Sequence, residues 1–326
     1  MPSGPRRRCR AAIAWAAAAL VAAPAAPAAP AAPPQQVVLR DDTGARVVLQ
    51  RPARRIVSLA PSNTESLFAI GAGHLVVGAT RFDDYPPPVG TIARVGGFAD
   101  VDVERVLRLE PDLVLAAGFH AGNVVVRLRA LGLAVFVVEP ANVADVLDRL
   151  ELLGRLVGRV DEARRVAAAL RARLQRVAQR VQVAARRPRV LLMLSADVFT
   201  VAPGSFAHDL IVRAGGDNVA ADAPVPYPQL AEEAVIARDP EVIFIGGHEV
   251  GLGLADLRGR PGWAGISAVR HGRVVVLEDP DLVSRPGPRV IEALEKIAAV
   301  ITGVVSPEGA PGLESTVAGR RRSRLR

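Results

Sequence analysis

Residues 161–185, DEARRVAAALRARLQRVAQRVQVAA, constrain this chain more than any other stretch. They run for 25 residues without glycine or proline and are dense in Ala, Leu, Arg and Gln, all strong helix formers. At about 1.5 Å per residue they make a rod of nearly 40 Å. Asp161 is placed to cap its start, and Pro188 follows its end. Ala163, Val166, Leu170, Leu174, Val177 and Val181 recur at spacings of three and four and form one apolar stripe. Arg164, Arg165, Arg171, Arg173, Arg176 and Arg180 occupy much of the remaining surface and read as a solvated face. A fold built on this rod must bury the stripe against its neighbours.

On both sides of the rod, strands alternate with helices. Before it, the pattern predicts a hairpin over 37–49, strands at 55–60, 76–79, 112–116 and 133–138, and helices at 66–70, 102–109, 122–131 and 143–157. Pro61-Ser-Asn-Thr-Glu65 reads as a capping cluster in front of the first helix. After the rod come strands at 189–194, 241–246 and 273–277, with helices at 207–214, 229–237 and 288–301. Such alternation makes a mostly parallel sheet covered on both faces. The expected fold class is therefore α/β, with two similar lobes joined by a single long helix. The expected bounds are 37–158 for the first lobe, 159–187 for the connector and 188–305 for the second lobe.

The lobes resemble each other in sequence. Glu104-RVLRLEPDLVL aligns without a gap on Glu233-AVIARDPEVIF at a shift of 129 residues, and Leu67-FAIGAGHLVVG matches Leu210-IVRAGGDNVA more loosely at a shift of 143. Two repeats in the same order imply pseudo-symmetry.

The ends read differently from the middle. Arg6, Arg7, Arg8 and Arg10 precede an apolar run over 11–23, too short to span a bilayer, and Ala/Pro-rich sequence follows. That order predicts a secretory signal over 1–32 and an exported, periplasmic product. Cys9, the single cysteine, precedes the apolar run, so it is not placed as a lipid-bearing residue. The segment 306–326 reads as a disordered basic tail. Of the formal +8, the leader holds +4 and the tail +3, which leaves +1 for the folded part and no electrostatic case for nucleic acid.

No phosphate loop, dinucleotide fingerprint or nucleophile elbow is present. His74, His120, His208, His248 and His271 are scattered. His120 alone sits in a loop after a first-lobe strand, where α/β sheets place ligands, and is a weak metal-ligand candidate. The aromatics carry more information. Several of Phe82, Tyr85, Phe98, Phe119, Phe199, Phe206 and Tyr227 fall in loops after strands, and an aromatic in a Pro- or Gly-flanked loop suits the wall of a cleft. The ends of the lobes would account for some of them. Glu104 and Glu233 stand near the starts of equivalent helices and would suit docking onto a two-fold symmetric partner with basic groups.

Arg55-IVSLAPSNTE, Phe82-DDYPP, Val103-ERVLRLEPDLVLA, Val225-PYPQL and Pro261-GWAGISAVRHGRVVVL resemble the substrate-binding proteins of ABC importers for cobalamin, haem and ferric siderophores. The Asp-Tyr-Pro-Pro loop together with Val-Pro-Tyr-Pro-Gln is most similar to the cobalamin binders. The resemblance implies a monomeric, non-enzymatic binder without a resident cofactor, holding ligand between lobes that move little. It implies corrin contacts from Phe82, Phe98 and Tyr227, further cleft positions at Phe199 and Asp281, and docking of Glu104 and Glu233 on arginines of a permease dimer. Phe98 and Tyr227 stand where tryptophan is usual, and Leu282 stands where an aromatic is expected. Trp263 matches a motif outside the cleft. Haem and ferric siderophores remain alternatives: Arg81 and Arg285 would suit a siderophore, and His120 or Tyr85 would serve as axial ligand to haem. An exported enzyme on a similar two-lobed fold is the alternative of another class.

Overall fold

The computed structural model describes residues 36–247 and 252–303. The leader, the basic tail, Cys9 and His248 lie outside the described residues. A hairpin, β1 (Val37–Arg40) and β2 (Arg46–Leu49), opens the first lobe. Its sheet contains β3 (Ile56–Ser58), β4 (Val76–Ala79), β5 (Ala93–Arg94), β6 (Leu113–Ala117) and β7 (Val135–Val138), all parallel in the order β5-β4-β3-β6-β7. Around it lie α1 (Pro61–Ala69), α2 (Val103–Arg108), α3 (Val124–Ala130) and α4 (Val143–Val157). The connector α5 (Val160–Gln182) leads to β8 (Arg189–Met193), α6 (Phe206–Arg213), β9 (Asp217–Asn218), α7 (Glu232–Arg238) and β10 (Val242–Ile245). Then follow α8 (Leu254–Gly259), α9 (Ser267–Arg270), β11 (Val274–Val276), α10 (Asp281–Ser284) and α11 (Val290–Ile301). The second sheet is parallel in the order β11-β10-β8-β9.

Alternation along each strand feeds two apolar layers. On β6, Leu113 and Leu115 face an inner core while Val114 and Ala116 face an outer one; on β10, Val242 and Phe244 face in while Ile243 and Ile245 face out. The inner core is continuous through both lobes and includes Ala163, Leu170 and Val177 of α5, with Val166, Leu174 and Val181 packed against it. The stripe therefore packs as its spacing predicts, and the two lobes belong to one compact unit.

Three expectations about helices need correction. Asp161 does not cap α5. The helix begins at Val160 with Arg159 before it, and Asp161 and Glu162 occupy the first turn, where they favour the helix dipole. The arginine face is not wholly solvated. Arg171 pairs with Asp148 at 2.7 Å and with Glu151 on α4, and Arg173 makes two bonds to Glu295 on α11, at 3.0 and 2.7 Å. Pro61-Ser-Asn-Thr-Glu65 is not a cap but the beginning of α1 itself, with Pro61 in its first turn. Next to the connector, Gly154 is required by close approach: a Cβ there would stand 2.4 Å from the Cβ of Ala163.

The repeat at a shift of 129 is exact at the backbone. Glu110 and Asp239, both non-glycine, take positive φ of 45° and 42°. Arg55, just before β3, and Arg189, the first residue of β8, donate to the carbonyls where α2 and α7 end, Leu109 and Glu110 in one lobe and Arg238 and Asp239 in the other. Asp112 and Glu241 accept from the backbone N–H of those same arginines. The looser repeat is offset by one. Gly71 and Gly215 are the positive-φ residues that end α1 and α6, which sets the shift at 144.

Candidate functional site

The carboxyl ends of the strands in the two lobes enclose a cleft of about 600 Å³. The first lobe contributes Ala60-Pro61-Ser62, Phe98, Ala117-Gly118-Phe119 and Val138 to Ala141; the second contributes Gly204, Phe206, Pro226-Tyr227 and Ser284-Arg285-Pro286. Open α/β sheets present ligands at this end because the loops there leave the packed core.

Phe98 and Phe119 stack with ring centroids 5.0 Å apart and an interplanar angle of 26°. His120 packs against both, at 4.7 Å from Phe98 and 5.7 Å from Phe119. The expectation of His120 as a metal ligand fails on geometry. The side chain is buried, the Nδ1 accepts from the Ala117 N–H at 3.1 Å, and the Nε2–H donates to the Phe98 carbonyl at 2.7 Å. Both nitrogens are occupied, so His120 is the strut that holds the stacked pair upright. Among the described residues, no group of three or more His, Cys, Asp or Glu side chains could hold a metal ion.

Burial holds the His120 ring below its ordinary value of 6.5, outweighing the two backbone hydrogen bonds. The unfolded chain therefore binds a proton where the folded one does not. The stability this confers is complete above that value and is lost as pH falls through it. Thermal stability should fall between about pH 7 and pH 5, with His208, also held low by burial, adding to the slope. His120→Gln keeps a donor and an acceptor but does not titrate. A melting series across that range should show a shallower slope for this variant, and an unchanged slope would remove His120 as a source.

Of the expected ligand residues, the cleft gathers Phe98, Phe119, Tyr227 and Arg285. The others do not line this cavity, though Phe82 and Asp281 both touch Arg285 at its edge. Phe82 is exposed beneath the Arg81 guanidinium, 5.0 Å from its ring centroid, and offers its carbonyl to Arg285. Tyr85 lies under the Arg289 guanidinium at 4.2 Å and lines a second cavity of about 480 Å³ beside Val166 and Leu170 of the connector. Phe199 is exposed and bridges to Gln229 through the backbone. Asp281 is buried and pairs with Arg285 at 2.7 Å.

Four acidic residues not anticipated from sequence matter here. Glu65 is buried on α1 and receives Arg289 through two bonds of 2.8 Å and Arg285 at 3.4 Å, both from the second lobe. Asp84 and Asp279 complete this cross-lobe network at 2.6 Å each. Glu139, the residue after β7, lines the cleft. The only sequence signal for Glu65 is its position one turn after a helix-starting proline. Nothing in the sequence marks its face as inward.

Glu104 and Glu233 are exposed at the second position of α2 and α7, in equivalent places on the two lobes, with no ion-pair partner among the described residues.

The sequence matches the family model described as "Periplasmic binding protein" over residues 56–280. A vitamin B12-binding protein of Vibrio cholerae is 33% identical over 255 residues, 77% of this chain and 90% of the relative. A crystal structure of the periplasmic vitamin B12 binding protein of that species aligns with a TM-score of 0.68 at 32% identity, covering 77% of this chain and 97% of the other. The crystal structure of a periplasmic haem binding protein from Pseudomonas aeruginosa aligns with a TM-score of 0.71 at 26% identity, covering 82% and 100%. With this match over most of its length, a parallel sheet in each lobe and a cleft between them, the chain belongs to the periplasmic binding protein family.

Proposed function

We propose that this protein is the exported solute-binding component of an ABC importer, that it captures cobalamin in the inter-lobe cleft, and that it delivers the ligand to a permease dimer in the inner membrane. The observation that carries this reading is the facing of two apolar walls. Stacked Phe98 and Phe119 stand on one lobe, and Phe206, Pro226 and Tyr227 stand on the other. A broad, flat macrocycle fits between aromatic surfaces of this kind.

The charges in the cleft speak against an anionic ferric chelate. Arg285 is neutralised by Glu65, Asp84 and Asp281, and Arg81, which does not line the cleft, pairs with Asp100 at 2.8 Å. Haem is the second reading, favoured by the Pseudomonas likeness and by one phenol in the cleft, Tyr227. Desolvation and then the Glu139 charge hold the Tyr227 hydroxyl above its ordinary range, which disfavours an axial phenolate, although the residue itself stays more than half exposed. His120 has no free nitrogen, and Tyr85 faces another cavity. Cobalamin brings its own axial ligands and asks for none.

Titration of the purified protein with cyanocobalamin and with haem, followed by calorimetry and visible spectra, tests the reading. Saturable cyanocobalamin binding is expected. Tight haem binding with a Soret shift and no cyanocobalamin binding overturns it. Phe98→Ala and Tyr227→Ala should each weaken binding of the true ligand by about tenfold, near 1.4 kcal/mol. Unchanged affinity would remove either ring from the site.

A further inference from the structure

Two charged side chains are among the described residues that line the cleft, Glu139 and Arg285. Arg285 faces three carboxylates, at 3.4, 2.6 and 2.7 Å, so its charge is answered within the protein. Glu139 has no ion-pair or hydrogen-bond partner for its carboxylate among the described residues. Among the described residues, the cleft therefore presents one exposed carboxylate that no protein group answers, placed beside the aromatic walls where a bound ligand would meet it.

The backbone that carries this carboxylate is held in place, while the side chain itself stays flexible. The Glu139 N–H donates to Asp42 Oδ2 at 2.7 Å, and Asp42 is itself fixed by Arg149 at 2.7 and 2.8 Å. Pro140 follows and stiffens the chain. The carboxylate occupies space that a side chain at Gly118 would fill: a Cβ built there would stand 1.3 Å from Oε2. Because the atom met is the far end of a flexible side chain, Gly118→Ala would displace the carboxylate without demanding a backbone shift.

We propose that Glu139 is a specificity-determining residue, which accepts hydrogen bonds from amide or cationic donors at the rim of a ligand and rejects ligands that present a carboxylate there. This rests on the reading of the cleft as a corrinoid site. A carboxylate accepting from an amide N–H makes a charge-assisted bond, stronger than its neutral counterpart. A second carboxylate brought to the same place meets like-charge repulsion. The amide-fringed periphery of cobalamin meets the first condition, and the propionates of haem meet the second.

The test compares cyanocobalamin with its monocarboxylic acids, in which one side-chain amide is replaced by a carboxylate on the same macrocycle. With wild-type protein, the positional isomer altered next to Glu139 should bind about tenfold or more weaker than cyanocobalamin, and isomers altered elsewhere should not. In Glu139→Gln the ratio between that isomer and cyanocobalamin should collapse to within about twofold. Gly118→Ala, which keeps the charge but moves it, should erode the ratio as well. Equal binding of all isomers by wild-type protein, or an unchanged ratio in Glu139→Gln, overturns the proposal. If wild-type protein binds no cyanocobalamin, the corrinoid reading fails by itself. Haem and its dimethyl ester then make the same comparison: tighter binding of the ester, lost in Glu139→Gln, supports the role of Glu139, and equal binding overturns it.

Discussion

Glu65→Ala is expected to lower the melting temperature by about 10 °C. Glu65 is buried, with 3% of its side chain exposed, and it is the shared acceptor of Arg289 and Arg285, whose side chains are 17% and 13% exposed. Its hydrogen bonds dominate the upward shift of Arg289 beyond its ordinary range. Removing one partner of a buried pair leaves charge without compensation, at roughly 3 to 5 kcal/mol. The lower end applies here, because Asp84 and Asp279 at the exposed rim still answer part of the arginine charge. Asp84→Asn, on a side chain 66% exposed, should cost less than about 1 kcal/mol. Differential scanning calorimetry of both variants decides the matter. A Glu65→Ala loss no larger than that of Asp84→Asn would mean that the network decorates the lobes without joining them.

Reversing Glu104 and Glu233 together to arginine should abolish uptake while leaving ligand affinity intact. Both residues are exposed, sit at matched positions on the two lobes and lack ion-pair partners among the described residues. Neither lines the cleft. Charges placed this way set orientation and encounter rate with a basic partner, and reversing them converts attraction to repulsion at both contacts. Uptake of labelled ligand into vesicles carrying the importer, beside calorimetry on the free variant, separates delivery from capture. Transport at the wild-type rate by the double variant would end the docking role. Each single reversal should leave an intermediate rate, more sensitive to salt than wild type.

Much of the fold was legible because period and punctuation carry it. The α4 bounds of Val143 and Val157 are those its apolar spacing predicts, and the shift of 129 extends to the unusual backbone at Glu110 and Asp239. The two-residue strands β5 and β9 were not legible, because so short a segment carries no period. The site was read only in part. Loops after strands gather at the right end of each lobe, yet a loop can send its ring to either rim. Phe98, Phe119 and Tyr227 line the cleft while Phe82, Tyr85 and Phe199 do not. His120 had the right address, but its nitrogens are taken by Ala117 and Phe98, a fact of three-dimensional proximity that no spacing announces. Glu65 was hidden for the same reason: its partners lie 220 and 224 residues away.

The connector and the Glu65 network also bear on unloading. A 23-residue helix fastened by Arg171 to α4 and by Arg173 to α11 resists hinging, and the Glu65 arginines tie the lobes near one end of the cleft. A receptor of this build charges little for capture, since the cleft exists before its guest. Opening the lobes for release means parting those ion pairs. The residence time of the ligand on the free protein and on the docked one should then be set by different barriers.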